Sequence, residues 1–352
     1  MMKGKIGIAN LGNTCYMNSV LQCLNHVKFK YRIIKESRGG EIVRELKELF
    51  YQLNEEIQSK SIKKYGIQLP KDMKKDQFYI FSENEIMHLN NNYQNKSYEF
   101  VYPTNLKNLI NIKVNKFKGF DSHDCVEFLV NLLDLLNKET DLTDLFLIRT
   151  KIISKVINYE PREKVSCWSR DIKIIKKEDL IVDEDNSFYL DIPIKTRHTD
   201  INECIKEYLN VKELSGGVHG LETIKICKSP EILVINLRRI NKGYYDHHFI
   251  DYSKELYLTE TIENDEKKVK TYSGVNYKIN NRNSQENKTQ DYIYALNAFI
   301  IHEGHPLQGH KIAICLDEND NKWYKFNDHK VTPCNNPYQQ EVAFLFFYQR
   351  LK

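Results

Sequence analysis

The 352 residues carry 41% hydrophobic and 28% charged side chains, the balance of a globular chain long enough for a sizeable core. A net charge of +4, with 52 basic residues scattered among 48 acidic ones, leaves no basic patch and argues against a nucleic-acid partner. No apolar run reaches the roughly 18 residues that a membrane-spanning helix needs, so no membrane partner is expected.

The N-terminal residues, Met1-Met2-Lys3-Gly4-Lys5-Ile6, lack the apolar core of a signal peptide. Eight cysteines are scattered without a C-x-x-C pair, which points to reduced thiols in a cytoplasmic or nuclear setting. Residues 7–14 then form a Gly- and Asn-rich turn that runs into a helix with Met17, Val20, Leu21 and Leu24 on one face. Asn13 or Thr14 is placed to cap that helix, which sets Cys15 in its first turn. Unpaired N–H groups and the positive end of the helix dipole favour thiolate there, and thiolate is the nucleophile. The Asn10 amide, five residues upstream, is within reach of a developing oxyanion.

A second helix is expected over about 40–59, with Ile42, Val43, Leu46, Leu49, Phe50 and Leu53 at helical spacing. Residues 60–100 are polar and Asn-rich and read as a surface insertion; order resumes over 103–109. The third helix, 122–136, is apolar around most of its circumference, with Ser122 or Asp124 suited to its start. From about 147 the pattern turns to strands, at 148–157, 188–194 and 231–237, with a short helix at 201–208. Residues 260–291 are strongly polar and read as a second insertion. Near the C-terminus, strands at 292–302 and 311–316 flank a turn holding His302, His305 and His310. A further strand, 322–326, ends at Asn327 and Asp328. Two strands joined by a loop can hold a histidine beside an amide or carboxylate, the arrangement that a thiol nucleophile needs. With eleven histidines in the chain, the residues alone do not choose among these three.

Taken as strings, these segments resemble the ubiquitin-specific proteases. Asn10-Leu11-Gly12-Asn13-Thr14-Cys15-Tyr16-Met17-Asn18-Ser19 with Leu21-Gln22 resembles that family's cysteine box. Asp124, Glu127, Phe128 and Leu129 match its second block, where Ser122 and His123 replace two glutamines. Residues 292–310 resemble its histidine box, although Lys311 follows the histidine where the family has Tyr. Residues 229–240 and 343–350 resemble two of its strands.

The resemblance implies an α+β, papain-like cysteine protease fold with a helical thumb (about 1–145), reduced β fingers (about 146–235) and a β-rich palm (about 236–352). It implies Cys15 as nucleophile, His310 as general base and Asn327 as the group that orients it, with Asp328 assisting. Asp124 and Glu127 are expected to hold the C-terminal tail of ubiquitin. Lys311 is expected to alter substrate approach or to lower the His310 pKa by like-charge repulsion. Many family members bind zinc through two C-x-x-C pairs; here Cys167 and Cys227 stand alone, and Cys204 and His219 complete no recognisable set. No metal or other cofactor is therefore expected. The implied activity is hydrolysis of ubiquitin from ubiquitinated proteins. A catalytically silent ubiquitin-binding scaffold and a protease for another ubiquitin-like modifier are the alternatives.

Overall fold

The computed structural model describes residues 5–54, 100–160, 175–195, 199–213, 220–241, 244–262, 288–305 and 309–351. In chain order, β1 (Gly7–Ile8) leads to α1 (Cys15–Asn25), α2 (Phe29–Lys35) and α3 (Glu41–Asn54). Next, β2 (Phe100–Val101) pairs in parallel with β1 and opens into α4 (Thr104–Lys113) and α5 (Cys125–Asn137). Strands β3 (Ile148–Glu160), β4 (Ile175–Ser187) and β5 (Leu190–Pro193) precede α6 (Ile201–Leu209). Then come β6 (Lys212–Glu213), β7 (Gly220–Lys228) and β8 (Ile232–Arg238). The small hairpin of β9 (Ile240–Asn241) and β10 (Tyr244–Tyr245) precedes β11 (Glu255–Ile262) and β12 (Lys288–Glu303). The chain closes with β13 (His310–Asp317), β14 (Lys322–Asn327), β15 (Lys330–Pro333) and β16 (Ala343–Arg350).

The main sheet runs β15-β14-β13-β12-β16-β8-β5, with β11 alongside the first half of β12. All of its pairs are antiparallel except β5 with β8. Its central strands are continuous apolar runs because both of their faces are covered. On β8, Ile232 and Val234 join the helical core, while Leu233, Ile235 and Leu237 join a second core beneath α6. On β16, Leu345 and Phe347 divide from Phe346 and Tyr348 in the same way. That two-residue alternation is the pleat of a strand packed on both sides. The separate antiparallel sheet β4-β3-β7-β6 is more polar, and Ile181, Val182 and Leu221 are exposed on it.

Helix α1 departs from the amphipathic expectation: all eleven of its residues are buried. It lies between the main sheet and α5, so its polar positions must find partners inside. Gln22 Nε2 donates to the Ile6 carbonyl at 2.9 Å, and Asn25 Oδ1 accepts from Asn54 at 2.8 Å. The other elements fall close to their expected places. Asp124, rather than Ser122, caps α5, its side chain accepting from the Glu127 N–H at 3.0 Å. Most of the two polar insertions, 60–99 and 263–287, lies outside the described residues. The edges of the second belong to ordered strands, 260–262 to β11 and 288–291 to β12.

Phe299 is fully buried in the second core against Tyr252 and Phe346. Phe299→Ala is expected to cost about 3–5 kcal/mol in urea unfolding, and a loss below about 1 kcal/mol would contradict this packing.

Candidate active site

The loop before α1 is held by its own side chains. Asn10 Oδ1 accepts from the N–H groups of Gly12 (3.0 Å) and Thr14 (3.1 Å), and Thr14 Oγ1 accepts from the Leu11 N–H at 2.9 Å. Gly12 turns through φ 100°, and a Cβ there would lie 2.4 Å from the Phe120 ring, so only glycine fits. The expected cap is absent: Thr14 stands at the capping position, but its hydroxyl points back to Leu11 and no side chain caps α1. The first-turn N–H groups beside Cys15 are therefore not spent on a capping side chain.

On the other side, β13 begins at His310. The preceding Gly309 packs against the His302 imidazole so closely that a Cβ would lie 1.8 Å from Nε2. His310 Nε2 donates to Asn327 Oδ1 at 2.7 Å. That bond keeps the proton on Nε2 and leaves Nδ1 for the thiol. A hydrogen bond with Cys15 is the largest influence on His310 and raises its pKa to about 9; burial opposes the rise, and the Asn327 bond and Asp328 add to it. The imidazolium form of His310 is thereby favoured at neutral pH.

Asp328 sits just beyond, at φ 50° and 9% exposed. Its Oδ2 accepts from Asn10 Nδ2 and its Oδ1 from Asn18 Nδ2, both at 2.8 Å. Its carbonyl accepts from the Ile8 N–H at 2.9 Å, and its carboxylate lies 3.8 Å from His310 Nε2. The charge that Asn327 lacks is thus supplied one residue later. The competing histidines are placed elsewhere: His302 Nε2 donates to the His305 carbonyl at 3.0 Å, and neither is bonded to Asn327.

A groove of about 730 Å³ runs between the start of α5 and the edge of β8 and β13. Asp124, Glu127, Asp191, Arg238, His302 and Lys311 line it. Glu127 is ion-paired with Lys116, and Arg238 with Asp191 at 2.6 Å. Among the described residues no group of three or more His, Cys, Asp or Glu is arranged to hold a metal ion. Cys227 is half-buried on β7 and Cys204 buried on α6, while Cys167 and His219 lie outside the described residues.

A family model for ubiquitin carboxyl-terminal hydrolases matches residues 6–348. The chain belongs to that family. Ubiquitin carboxyl-terminal hydrolase 8 of Saccharomyces cerevisiae is 26% identical, over 98% of this chain and 70% of the yeast protein. Human ubiquitin carboxyl-terminal hydrolase 2 is 23% identical over 99% of this chain and 55% of its own length. The Drosophila melanogaster hydrolase Usp2 is also 23% identical, over 99% of this chain and 35% of its own length. The chain thus spans about half of the human relative and about a third of the fly one. Two solved structures share the α+β fold. The SAGA DUB module Ubp8/Sgf11/Sus1/Sgf73 bound to monoubiquitin gives a TM-score of 0.63 at 17% identity, covering 100% of this chain and 71% of that one. The same module bound to ubiquitin aldehyde gives 0.60 at 19%, covering 99% and 70%.

For a ubiquitin carboxyl-terminal hydrolase, the sequence-derived residues Cys15, His310, Asn327, Asp328 and Asn10 converge on one locus from opposite ends of the chain. Asp124 and Glu127 stand apart from it, in the groove. Asn18 was not singled out beforehand; a polar residue one helical turn after Cys15, on an apolar helix, is the signal that marks it. The expected effect of Lys311 on His310 is not found. Its ammonium turns to the Gly309 carbonyl (3.1 Å) and Ser122 Oγ (3.4 Å). The histidine it depresses is His302, whose pKa falls through burial and then through Lys311.

Because its pKa is raised, His310 stays protonated through neutral pH and loses its proton only near pH 9. In an NMR titration, Cys15→Ala removes the largest cause of that rise, so the His310 midpoint is expected to fall toward the ordinary value of about 6.5. An unchanged midpoint would rule out the thiol as the cause.

Proposed function

We propose that this chain is a deubiquitinating cysteine protease that hydrolyses the peptide or isopeptide bond after the C-terminal glycine of ubiquitin. The observation that carries this reading is the alignment of Cys15, His310 and Asn327, with the Nε2–Oδ1 bond of 2.7 Å leaving Nδ1 for the thiol. The Cys15 thiolate attacks the carbonyl carbon, and the oxyanion is held by the Asn10 amide and first-turn N–H groups of α1. Asp328, bonded to the same Asn10 amide, orients it. His310 gives its Nδ1 proton to the leaving amine, which departs as the C–N bond breaks and a thioester remains. His310 then takes a proton from water, whose oxygen attacks the thioester. The thiolate leaves, and the ubiquitin carboxylate is released.

Ubiquitin and ubiquitinated proteins are the proposed partners, supported by the family and by the two ubiquitin-bound neighbours. The helical half to about residue 145 acts as thumb, the main sheet from about 236 as palm, and the sheet between as fingers against the ubiquitin globule. The extended tail lies in the groove, with Asp124 and, to a lesser extent because of its bond to Lys116, Glu127 as anionic contacts. All seven cysteines among the described residues are free thiols, which suits the reducing cytoplasm or nucleus. Among those residues no helix is long and apolar enough to cross a membrane.

Ubiquitin carrying a C-terminal thiol-reactive warhead tests this reading. Wild type should form a covalent adduct that Cys15→Ala abolishes, and His310→Ala should slow labelling by about 10²-fold or more. Binding of ubiquitin without an adduct would overturn the protease in favour of a silent scaffold. An adduct with another modifier's warhead alone would overturn ubiquitin as substrate.

A further inference from the structure

The groove stops short of the chemistry. Its lining includes Ser122 and Lys311 but neither Cys15 nor His310, and Cys15 is only 5% exposed. At that end the walls touch. Ser122 precedes α5 on the helical side, Lys311 belongs to β13 on the sheet side, and Lys311 Nζ donates to Ser122 Oγ at 3.4 Å. The bond is at the long end of hydrogen-bond geometry, between residues 189 positions apart.

Lys311 itself is unusual. It is 6% exposed, yet no carboxylate among the described residues lies within ion-pair distance of its ammonium. Its two hydrogen-bond acceptors, Gly309 O and Ser122 Oγ, are neutral, and an ammonium has three donors. A buried cation normally has an anion or a full set of acceptors. An extended peptide entering the groove brings acceptors, because its backbone presents carbonyl oxygens to both sides along its length.

We propose that the Lys311–Ser122 contact is a gate across the last part of the substrate groove, and that Lys311 is a positioning residue that exchanges Ser122 for a main-chain carbonyl of the incoming tail. This rests on the protease reading above. In the closed state the contact joins helical half to sheet and covers the approach to Cys15. As the tail enters, Ser122, already exposed, exchanges the ammonium for water. Lys311 keeps the Gly309 carbonyl, so the residue before His310 stays fixed while the ammonium fastens the tail beside it. Opening loses one long bond of 3.4 Å to a hydroxyl, and the open state gains a bond of ordinary length from the same ammonium to a carbonyl.

Steady-state hydrolysis of a fluorogenic C-terminal amide of ubiquitin separates the two roles. Ser122→Ala removes the closed-state partner and should lower KM about threefold with kcat unchanged. Lys311→Met removes the donor at similar length and should raise KM about tenfold or more with kcat within a few-fold, while Lys311→Arg restores most of the affinity. An unchanged or raised KM in Ser122→Ala overturns the gate. An unchanged KM in Lys311→Met, or a loss confined to kcat, overturns the positioning role. Thermal unfolding checks that Lys311→Met is folded; Ser122 is exposed, so its variant keeps the gate testable if Lys311→Met is not. A wild-type protein that leaves the ubiquitin amide intact would instead sink the protease reading itself.

Discussion

Everything at this site depends on one buried carboxylate. Asp328 accepts from Asn10 in the loop before Cys15 and from Asn18 on α1, while its own carbonyl takes the Ile8 N–H. These bonds span more than 300 positions of sequence and fasten the first strand, the cysteine loop and α1 to the end of β14. Hydrogen bonds to a charged group are worth about 1.5–3 kcal/mol each, so losing this acceptor would weaken the hold on both Asn10 and the buried Asn18. The left-handed backbone at Asp328, which Asp tolerates better than most non-glycine residues, is held by three separate bonds. The same carboxylate stands 3.8 Å from His310 Nε2, so the group that joins the two halves of the molecule also places a charge behind that imidazole.

That coupling explains why α1 is buried on every side. Cys15 near one end of the chain and His310 near the other meet at a seam, and α1 fills the seam between sheet and α5. Asn18, Ser19, Gln22 and Asn25 are polar residues in a fully buried helix, and each meets a partner outside the helix, Ser19 through the Cys125 thiol. Such partners fix rotation and register in a way that apolar packing does not. The active-site geometry therefore follows from completing the fold, not from any local segment.

The sequence was most legible where local pattern and three-dimensional role coincide. The continuous apolar runs of β8 and β16 read as strands because both faces of the sheet are covered. The cysteine and histidine strings pointed to residues that do converge. The polar strand β4, Ile175–Ser187, was hidden, because its place comes from pairing with β3 over thirteen residues and not from its own composition. The short basic helix α2 was missed for a similar reason: its stability comes from Phe29 and Ile33 in the core. Thr14 showed the limit of capping rules, since a hydroxyl at the right position can turn back into its own loop.

Lys311 shows the most instructive failure of adjacency. It follows His310, so like-charge repulsion is the natural inference from sequence. On a strand, however, consecutive side chains point to opposite faces. His310 turns toward Cys15 and Asn327, while Lys311 faces the groove in register with His302 and depresses that histidine instead. The base therefore keeps its raised pKa, and the cation is left to act on whatever occupies the groove. Chemistry and access are thus divided between the two faces of β13. One face is assembled before substrate arrives, and the other holds the contact that substrate has to displace.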